Sequence, residues 1–296
     1  MREEIRRIQE LMEGEQYVTD RGIATAVYLA ITLRKPLLVE GHPGVGKTDI
    51  AKVLSRAMGA DLIRLQCYEG LDATTALYEW NYPKQLLHIK LEEGSARPLQ
   101  EKEATIFSEA FLLKRPLLQA ITHQGAAPVL LIDEVDRSDE EFEAFLLEVL
   151  SDFQVTIPEI GTIRATRTPA VVLTSNRSRE LSEALRRRCL YLWIDYPSFE
   201  KELRIVESKV PGVSERLARE VTAFMQSVRR MTLAKTPGVA ESLDWAAALV
   251  ALHADHLDLE VVRETLGCIA KDESDLRLLG GELEPDRLAA MLSPTG

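Results

Sequence analysis

The chain has 296 residues, 46% hydrophobic, 28% charged and 6% aromatic, which is a globular composition long enough for one large domain and a smaller one. Its net charge of −11 argues against a sequence-independent grip on nucleic acid, where a basic face is expected, though a local basic patch stays compatible with it. Cys67, Cys189 and Cys268 are too far apart for a disulfide framework or a C-x-x-C metal site, the N-terminus lacks the apolar core of a signal peptide, and no run of about 18 apolar residues spans a membrane; the expectation is a cytoplasmic protein with reduced thiols.

Residues 3–11 have the spacing of a short amphipathic helix. After Tyr17-Val18 a second helix, capped by Thr19 or Asp20, runs to about Leu33. Tyr17 and Val18 are candidates to lie on an adenine ring, or to pack beneath a sheet. The apolar run Pro36-Leu37-Leu38-Val39 then leads into Gly41-His42-Pro43-Gly44-Val45-Gly46-Lys47-Thr48, and Asp49 begins a helical pattern through Met58. A strand, a glycine-rich turn and a helix in that order are the context of a phosphate-binding loop. The glycines let successive backbone N–H groups turn inward, and the helix N-terminus adds partial positive charge. Lys47 is placed to reach β- and γ-phosphates, and the Thr48 hydroxyl to take a position on Mg²⁺.

Residues 62–65 read as the next strand and 78–82 as an aromatic, surface-leaning segment. Residues 85–90 have strand character, 97–105 look polar and irregular, and 106–121 resume helical spacing, with Pro116 opening a new helix. This stretch exceeds what a crossover needs and reads as an insertion, about 84–105. Residues 129–132 are a near-continuous apolar run, as in a parallel strand buried on both faces. A periodic helix at 140–150, a hairpin at 154–165, a buried strand at 170–175, a short helix at 181–187 and a final strand at 190–194 follow. Beyond Pro197 only helices are read: about 199–209, 214–231, 240–253, 258–271 and two short ones. The expected fold is therefore α/β, an αβα sandwich with a parallel sheet at 1–197 followed by an all-helical domain at 198–296.

Asp133 closes the 129–132 strand, where a carboxylate can hold Mg²⁺. Glu134 beside it can polarise the water that attacks a γ-phosphate. Asp136 is a weaker candidate for that work, and both it and Asp139 fit simple capping of the next helix. Asn176 ends another buried strand, so its amide can meet the attacking water or the γ-phosphate; a turn-forming role is the alternative. Arg186-Arg187-Arg188 is either a solvated face or an arginine presented to a neighbour's nucleotide. His253 and His256 could share a metal only with a third ligand, and none is nearby.

These motifs, in this order, resemble the AAA+ ATPases, and within them the MoxR family, over nearly the whole chain. Glu69-Gly70-Leu71-Asp72, residues 76–82 and residues 188–197 look like the subgroup that contains CoxD, an accessory protein of carbon monoxide dehydrogenase maturation. The resemblance implies ATP and Mg²⁺ as cofactors, Asn176 as sensor 1, and Arg188 as an arginine finger acting on a neighbouring subunit. Arg187 and Arg137 would be further trans-acting candidates. It also implies a helix-2 insert about 84–105, a pre-sensor hairpin about 154–165, and a helical lid at 198–296. The assembly would be a homo-oligomeric ring, a hexamer, with a chaperone-like role on a metalloenzyme client and a partner bearing a von Willebrand factor A domain. One departure stands out: the lid segment that often carries a sensor 2 arginine reads Thr236-Pro237-Gly238-Val239-Ala240-Glu241-Ser242, without one. A nucleic-acid motor of the same superfamily, a nucleotide-gated scaffold with little turnover, and a small-molecule kinase remain alternatives on the sequence alone.

Overall fold

The computed structural model describes residues 2–93 and 97–292; residues 94–96 of the expected insert and the last four of the helical domain lie outside the described residues. The chain forms two compact units. One comprises the start of the chain to Ile8, Arg21–Glu40 and Ile50–Leu192. The other comprises Gln9–Asp20, Gly41–Asp49 and the chain from Trp193 onward.

Helices α1 (Arg2–Gly14) and α2 (Arg21–Leu33) precede β1 (Leu37–Gly41), and α3 (Lys47–Met58) and β2 (Leu62–Gln66) follow the glycine-rich turn. The chain then forms α4 (Ala73–Leu77), β3 (Tyr78–Trp80), α5 (Tyr82–Leu91), α6 (Leu99–Ile106), β4 (Leu112–Lys114) and α7 (Pro116–Ile121), of which α5 and most of α6 fall in the expected insertion. After α7 come β5 (Val129–Asp133), α8 (Glu140–Asp152), the pair β6 (Gln154–Ile157) and β7 (Gly161–Arg164), β8 (Ala170–Ser175), α9 (Glu183–Arg188) and β9 (Leu190–Ile194).

Five strands make one sheet in the order β2-β5-β8-β1-β9, and β2/β5, β5/β8 and β8/β1 are parallel. β1 and β5 are buried at every position, which is why their sequences are continuous apolar runs rather than alternating ones. The registers Glu40↔Ser175 and Gln66↔Asp133 bring the polar C-terminal ends of four strands to one edge of this sheet. Its core includes Leu38, Leu130, Ile132, Leu146 and Leu173. The expected hairpin forms as the antiparallel pair β6/β7, with Gly161 at φ 99° beginning the second strand.

Three local readings are corrected in and around the insertion. Residues 85–90 are helical, not strand: the Asn81 carboxamide caps α5 by accepting from Lys84 N at 3.1 Å, and Pro83 sits in the first turn. Residues 97–105 are not irregular, since α6 covers most of them. Within 106–121 the helical spacing breaks, because β4 pairs antiparallel with β3 through Trp80↔Leu112 before Pro116 opens α7. That pairing also buries Trp80, 6% exposed, edge-on to Phe107 at 5.4 Å, whereas Tyr82 is exposed. Short apolar runs do not by themselves distinguish helix from strand; the cap at Asn81 does.

From Phe199 the chain is helical: α10 (Phe199–Lys209), α11 (Glu215–Val228), α12 (Val239–Ala251), α13 (Leu259–Ile269), α14 (Glu273–Glu282) and α15 (Pro285–Leu292). Leu217, Val221, Phe224 and Val228 recur every three or four residues on α11, so they line one face. Phe224 meets Trp245 at 5.0 Å, and the indole N–H donates to Thr265 Oγ1 at 2.8 Å. Beside this core the Arg229 guanidinium is bidentate on Glu202, at 2.5 and 2.7 Å, and both side chains are almost wholly buried. Arg229 also donates to the carbonyls of Pro237 and Gly238, at 2.8 and 3.0 Å, and Ser242 Oγ donates to Glu202 at 2.6 Å.

Removing one partner strands a buried charge, which costs about 3–5 kcal/mol. Glu202→Ala should therefore lose stability on that scale in urea unfolding. Glu202→Gln strands the same charge and turns one oxygen into a donor facing Arg229 or Gln226, so it should also lose stability clearly.

Candidate functional site

The glycine-rich turn is built by steric exclusion. A Cβ at Gly41 would stand 2.1 Å from the Ile194 carbonyl oxygen, so only glycine fits there. Gly44 and Gly46 have φ of 72° and 90°, the left-handed region that other residues enter at a cost. Lys47 opens α3 and is largely buried, and its Nζ donates to the carbonyls of Gly41 and His42 at 2.9 and 2.7 Å. The ammonium is thus held over the turn that precedes it, with the N-terminus of α3 beneath. Asp49 pairs with Lys209 at 3.0 Å.

Tyr17 is buried against the turn, its ring 3.8 Å from where a Cβ on Gly46 would stand. Burial, helped by Asp49 and Asp20, pushes its phenol above the ordinary range, so it stays protonated. Tyr17 and Val18, with Arg204, line a cleft of about 370 Å³. His42 stacks on Tyr196 at 4.4 Å and 9°, and Arg229 lies over the same tyrosine at 5.2 Å. The stretch without a sensor 2 arginine meets the turn through its backbone. Ala240 N donates to Gly44 O at 3.1 Å, and a Cβ on Gly238 would stand 2.6 Å from Pro43 O.

In the other unit, the edge of the sheet carries a polar cluster around the end of β5. Asp133 is buried, its Oδ1 accepting from Thr174 Oγ1 at 2.5 Å and its Oδ2 from Arg64 Nη2 at 2.6 Å. The same threonine hydroxyl accepts from Glu134 N at 2.9 Å. Glu134 has a left-handed backbone, φ 54°, and its carboxylate is partly exposed. Its Oε2 accepts from Gln66 Nε2 at 3.1 Å and from Arg137 Nη1 at 3.3 Å. Arg137, a candidate for action on a neighbour, here serves its own Glu134.

Asp136 does not join the cluster. Its Oδ2 accepts from Asn176 N, Ser178 N and Ser178 Oγ, at 3.2, 2.8 and 2.7 Å, fixing the loop that follows β8. Asn176 is thereby held by its backbone, and its side-chain amide has no hydrogen-bond partner among the described residues. Asp139 caps α8 by accepting from Phe142 N at 2.8 Å. Arg188 ends α9, is exposed, and donates to Leu147 O at 3.1 Å. Arg187 pairs with Glu183, and Arg186 with Glu180. Among the described residues no group of three or more His, Cys, Asp or Glu could hold a metal, so His253 and His256 form no such site. A hydroxyl and a carboxylate are donors of the kind Mg²⁺ takes, with phosphates and waters completing its shell.

Sequence reasoning did not single out Arg64, Gln66, Thr174 or Arg229. The signals were polar residues at strand ends in otherwise apolar runs, and an arginine in the apolar pattern of α11 and its C-terminal turn. Cys67, next to Gln66, is buried beside Asp133, Asp136 and Glu134, and its thiol is pushed up to about 12; burial alone does the same for Cys189.

The sequence matches the family described as ATPases associated with various cellular activities, AAA, over residues 37–193, and the chain belongs to that family. Of its relatives, RuvB of Thermosipho melanesiensis, a Holliday junction branch migration complex subunit, is 25% identical over 231 residues, spanning 73% of this chain and 61% of RuvB. The denitrification regulatory protein NirQ of Pseudomonas aeruginosa is 23% identical over 224 residues, spanning 73% of this chain and 76% of NirQ. The chain spans 59% of YeaC of Bacillus subtilis, an uncharacterised relative 23% identical over 71% of this chain. In structure, a point mutant of Thermotoga maritima RuvB covers 92% of this chain, with 80% of its own length matched, at 18% identity and a TM-score of 0.51; the fold is shared.

Thr174→Val keeps the shape but leaves the Glu134 N–H unpaired, which costs about 1–3 kcal/mol. Urea unfolding should show that loss without loss of the fold. The raised Cys67 thiol stays neutral in the native state when an unfolded thiol, near 8.5, ionises. Native stability should therefore be flat below that pH and fall as pH rises above it, and maleimide should label Cys67 at pH about 8 only on unfolding.

Proposed function

We propose that this AAA protein is a Mg²⁺-dependent ATP hydrolase of MoxR type, in the CoxD-like subgroup, working as a homo-oligomeric ring. The observation that carries the reading is Glu134: a partly exposed carboxylate on a strained backbone, steered by Gln66 and Arg137, beside a buried Asp133. Mg²⁺–ATP, when bound, supplies an electrophilic γ-phosphate and a leaving diphosphate. Backbone N–H groups of residues 41–46 and the N-terminus of α3 take the phosphates, and Lys47 neutralises them. On the resemblance to the MoxR family, Thr48 and Asp133 would each be a ligand of the cation, and Tyr17 and Val18 would flank the base. Glu134 takes the proton of the attacking water, and the Asn176 amide orients that water. Arg188 acts on the nucleotide of the next subunit, where a guanidinium stabilises the developing charge. AAA proteins commonly form hexameric rings, and a finger in trans requires one.

The helical part from residue 198 serves as lid. Its N-terminus of α12 rests on Gly44 where relatives use a sensor 2 arginine, with Arg229 setting the Pro237 and Gly238 carbonyls. The ring would remodel a metalloenzyme client in the cytoplasm, together with a protein bearing a von Willebrand factor A domain. The motifs shared with the MoxR family and the charge of −11 support this reading over a nucleic-acid motor; RuvB is also among the relatives, and stimulation of ATP hydrolysis by DNA would favour the motor instead. No helix among the described residues is long and apolar enough to cross a membrane.

Glu134→Gln should bind ATP and lose turnover by about 10²–10⁴; a loss below about tenfold would point to another carboxylate. Arg188→Ala should bind ATP and hydrolyse it about 10³-fold slower. Mixing these two inactive variants should restore part of the activity, since some interfaces then pair an intact Glu134 with an intact Arg188. Mixed rings without recovery would remove Arg188 from the role.

A further inference from the structure

A concavity of about 390 Å³ opens at the other end of the sheet from Glu40, Asp133 and Ser175, where β1 and β8 begin. Val27, Ala30 and Ile31 share one face of α2 along its wall, and Arg34 continues that line past the helix end. The wall is therefore two helical turns, about 10 Å, long. Its volume lies in the range of about 300–1,000 Å³ usual for ligand sites, and its floor is apolar.

Charge sets this groove apart. No Asp or Glu lines it, whereas Arg34, Lys35 and Arg167 do. None of the three has an ion pair or a side-chain hydrogen bond among the described residues. The chain has 47 acidic residues against 36 basic ones, so a cluster of cations without acids runs against its average. Arg34 and Lys35 follow the C-terminus of α2, where a cation suits the last carbonyls. Arg167 has no such reason to be there, since it comes from the connection between β7 and β8. Leu29 and Leu33, 39% and 53% exposed, lie around the other side of α2 and outside the groove, whose own wall already has the length of two helical turns.

We propose that this groove docks a short amphipathic helix of a partner protein, with leucine-sized side chains on one face and Asp or Glu beside them. The apolar side chains enter the groove, and the carboxylates meet Arg34, Lys35 and Arg167; this is helix-in-groove recognition with the sign of charge as the selector. The proposal stands independently of the ATPase reading, because none of these residues belongs to the nucleotide or carboxylate clusters.

The test uses the full chain and two fluorescein-labelled peptides of about four helical turns. Both carry Leu at i, i+3, i+4 and i+7; one has Glu and the other Lys at the flanking positions. Fluorescence anisotropy should show the Glu peptide binding and its Lys twin failing to bind. Raising salt from about 50 to about 300 mM should weaken the Glu peptide. Arg34→Glu combined with Arg167→Glu should weaken it by about tenfold or more, while circular dichroism stays unchanged. Ala30→Trp, which fills the groove, should abolish binding. Equal affinity of the two peptides, no effect of the charge reversals, or no binding up to about 1 mM would overturn the proposal. So would saturable binding of decanoate with no peptide binding, which would make this a site for a small anionic amphiphile.

Discussion

The polar edge of the sheet depends on one hydroxyl. Thr174 Oγ1 donates to the Asp133 carboxylate and accepts from the Glu134 amide, so a single group fixes the rotamer of one acid and the backbone of the next. A hydroxyl is the smallest side-chain group that can do both. It must also arrive from the adjacent strand at the right level, which the parallel pairing of β5 with β8 ensures. The cross-strand contacts of Arg64 and Gln66 from β2 then close the cluster from the other side, so each acid is held from both neighbouring strands.

This explains what the sequence reveals and what it hides. The phosphate loop stands out because strand, turn and helix are contiguous, and Asp133 and Glu134 because they directly follow an apolar run. The parallel sheet and the helical C-terminal part are legible for the same reason: each strand and helix carries its own periodicity. Arg64, Gln66 and Thr174 lie 69, 68 and 40 residues from the acids they touch, and no local pattern links them. Around the insertion, the pairing of β3 with β4 joins segments more than thirty residues apart, and it hides Trp80 where composition suggested surface. Asp136 shows a different limit. Its neighbours in sequence suggest a cap, whereas its carboxylate reaches across to the loop after β8.

The segment 236–242 meets the glycine-rich turn through its backbone. Gly238 allows a close approach to Pro43 and Gly44 that any side chain would block, and the Glu241 carboxylate, accepting from Gly238 N at 2.8 Å, fixes the start of α12 there. The rigidity comes from elsewhere: the buried Arg229–Glu202 pair pins the two carbonyls just before the helix. A charge that would ordinarily be a burden in a core is tolerated because each of its donors has an acceptor.

Glu134 sits in a backbone region that disfavours any residue with a β-carbon by about 1–2 kcal/mol, and that glycine or asparagine enters more readily. The native residue is therefore not the one that folds best at this position. Selection for stability alone would pull this position toward glycine or asparagine, so on the role proposed for Glu134 a thermostability screen blind to turnover would enrich inert proteins. Melting temperature and the proposed competence are then opposed at a single φ angle.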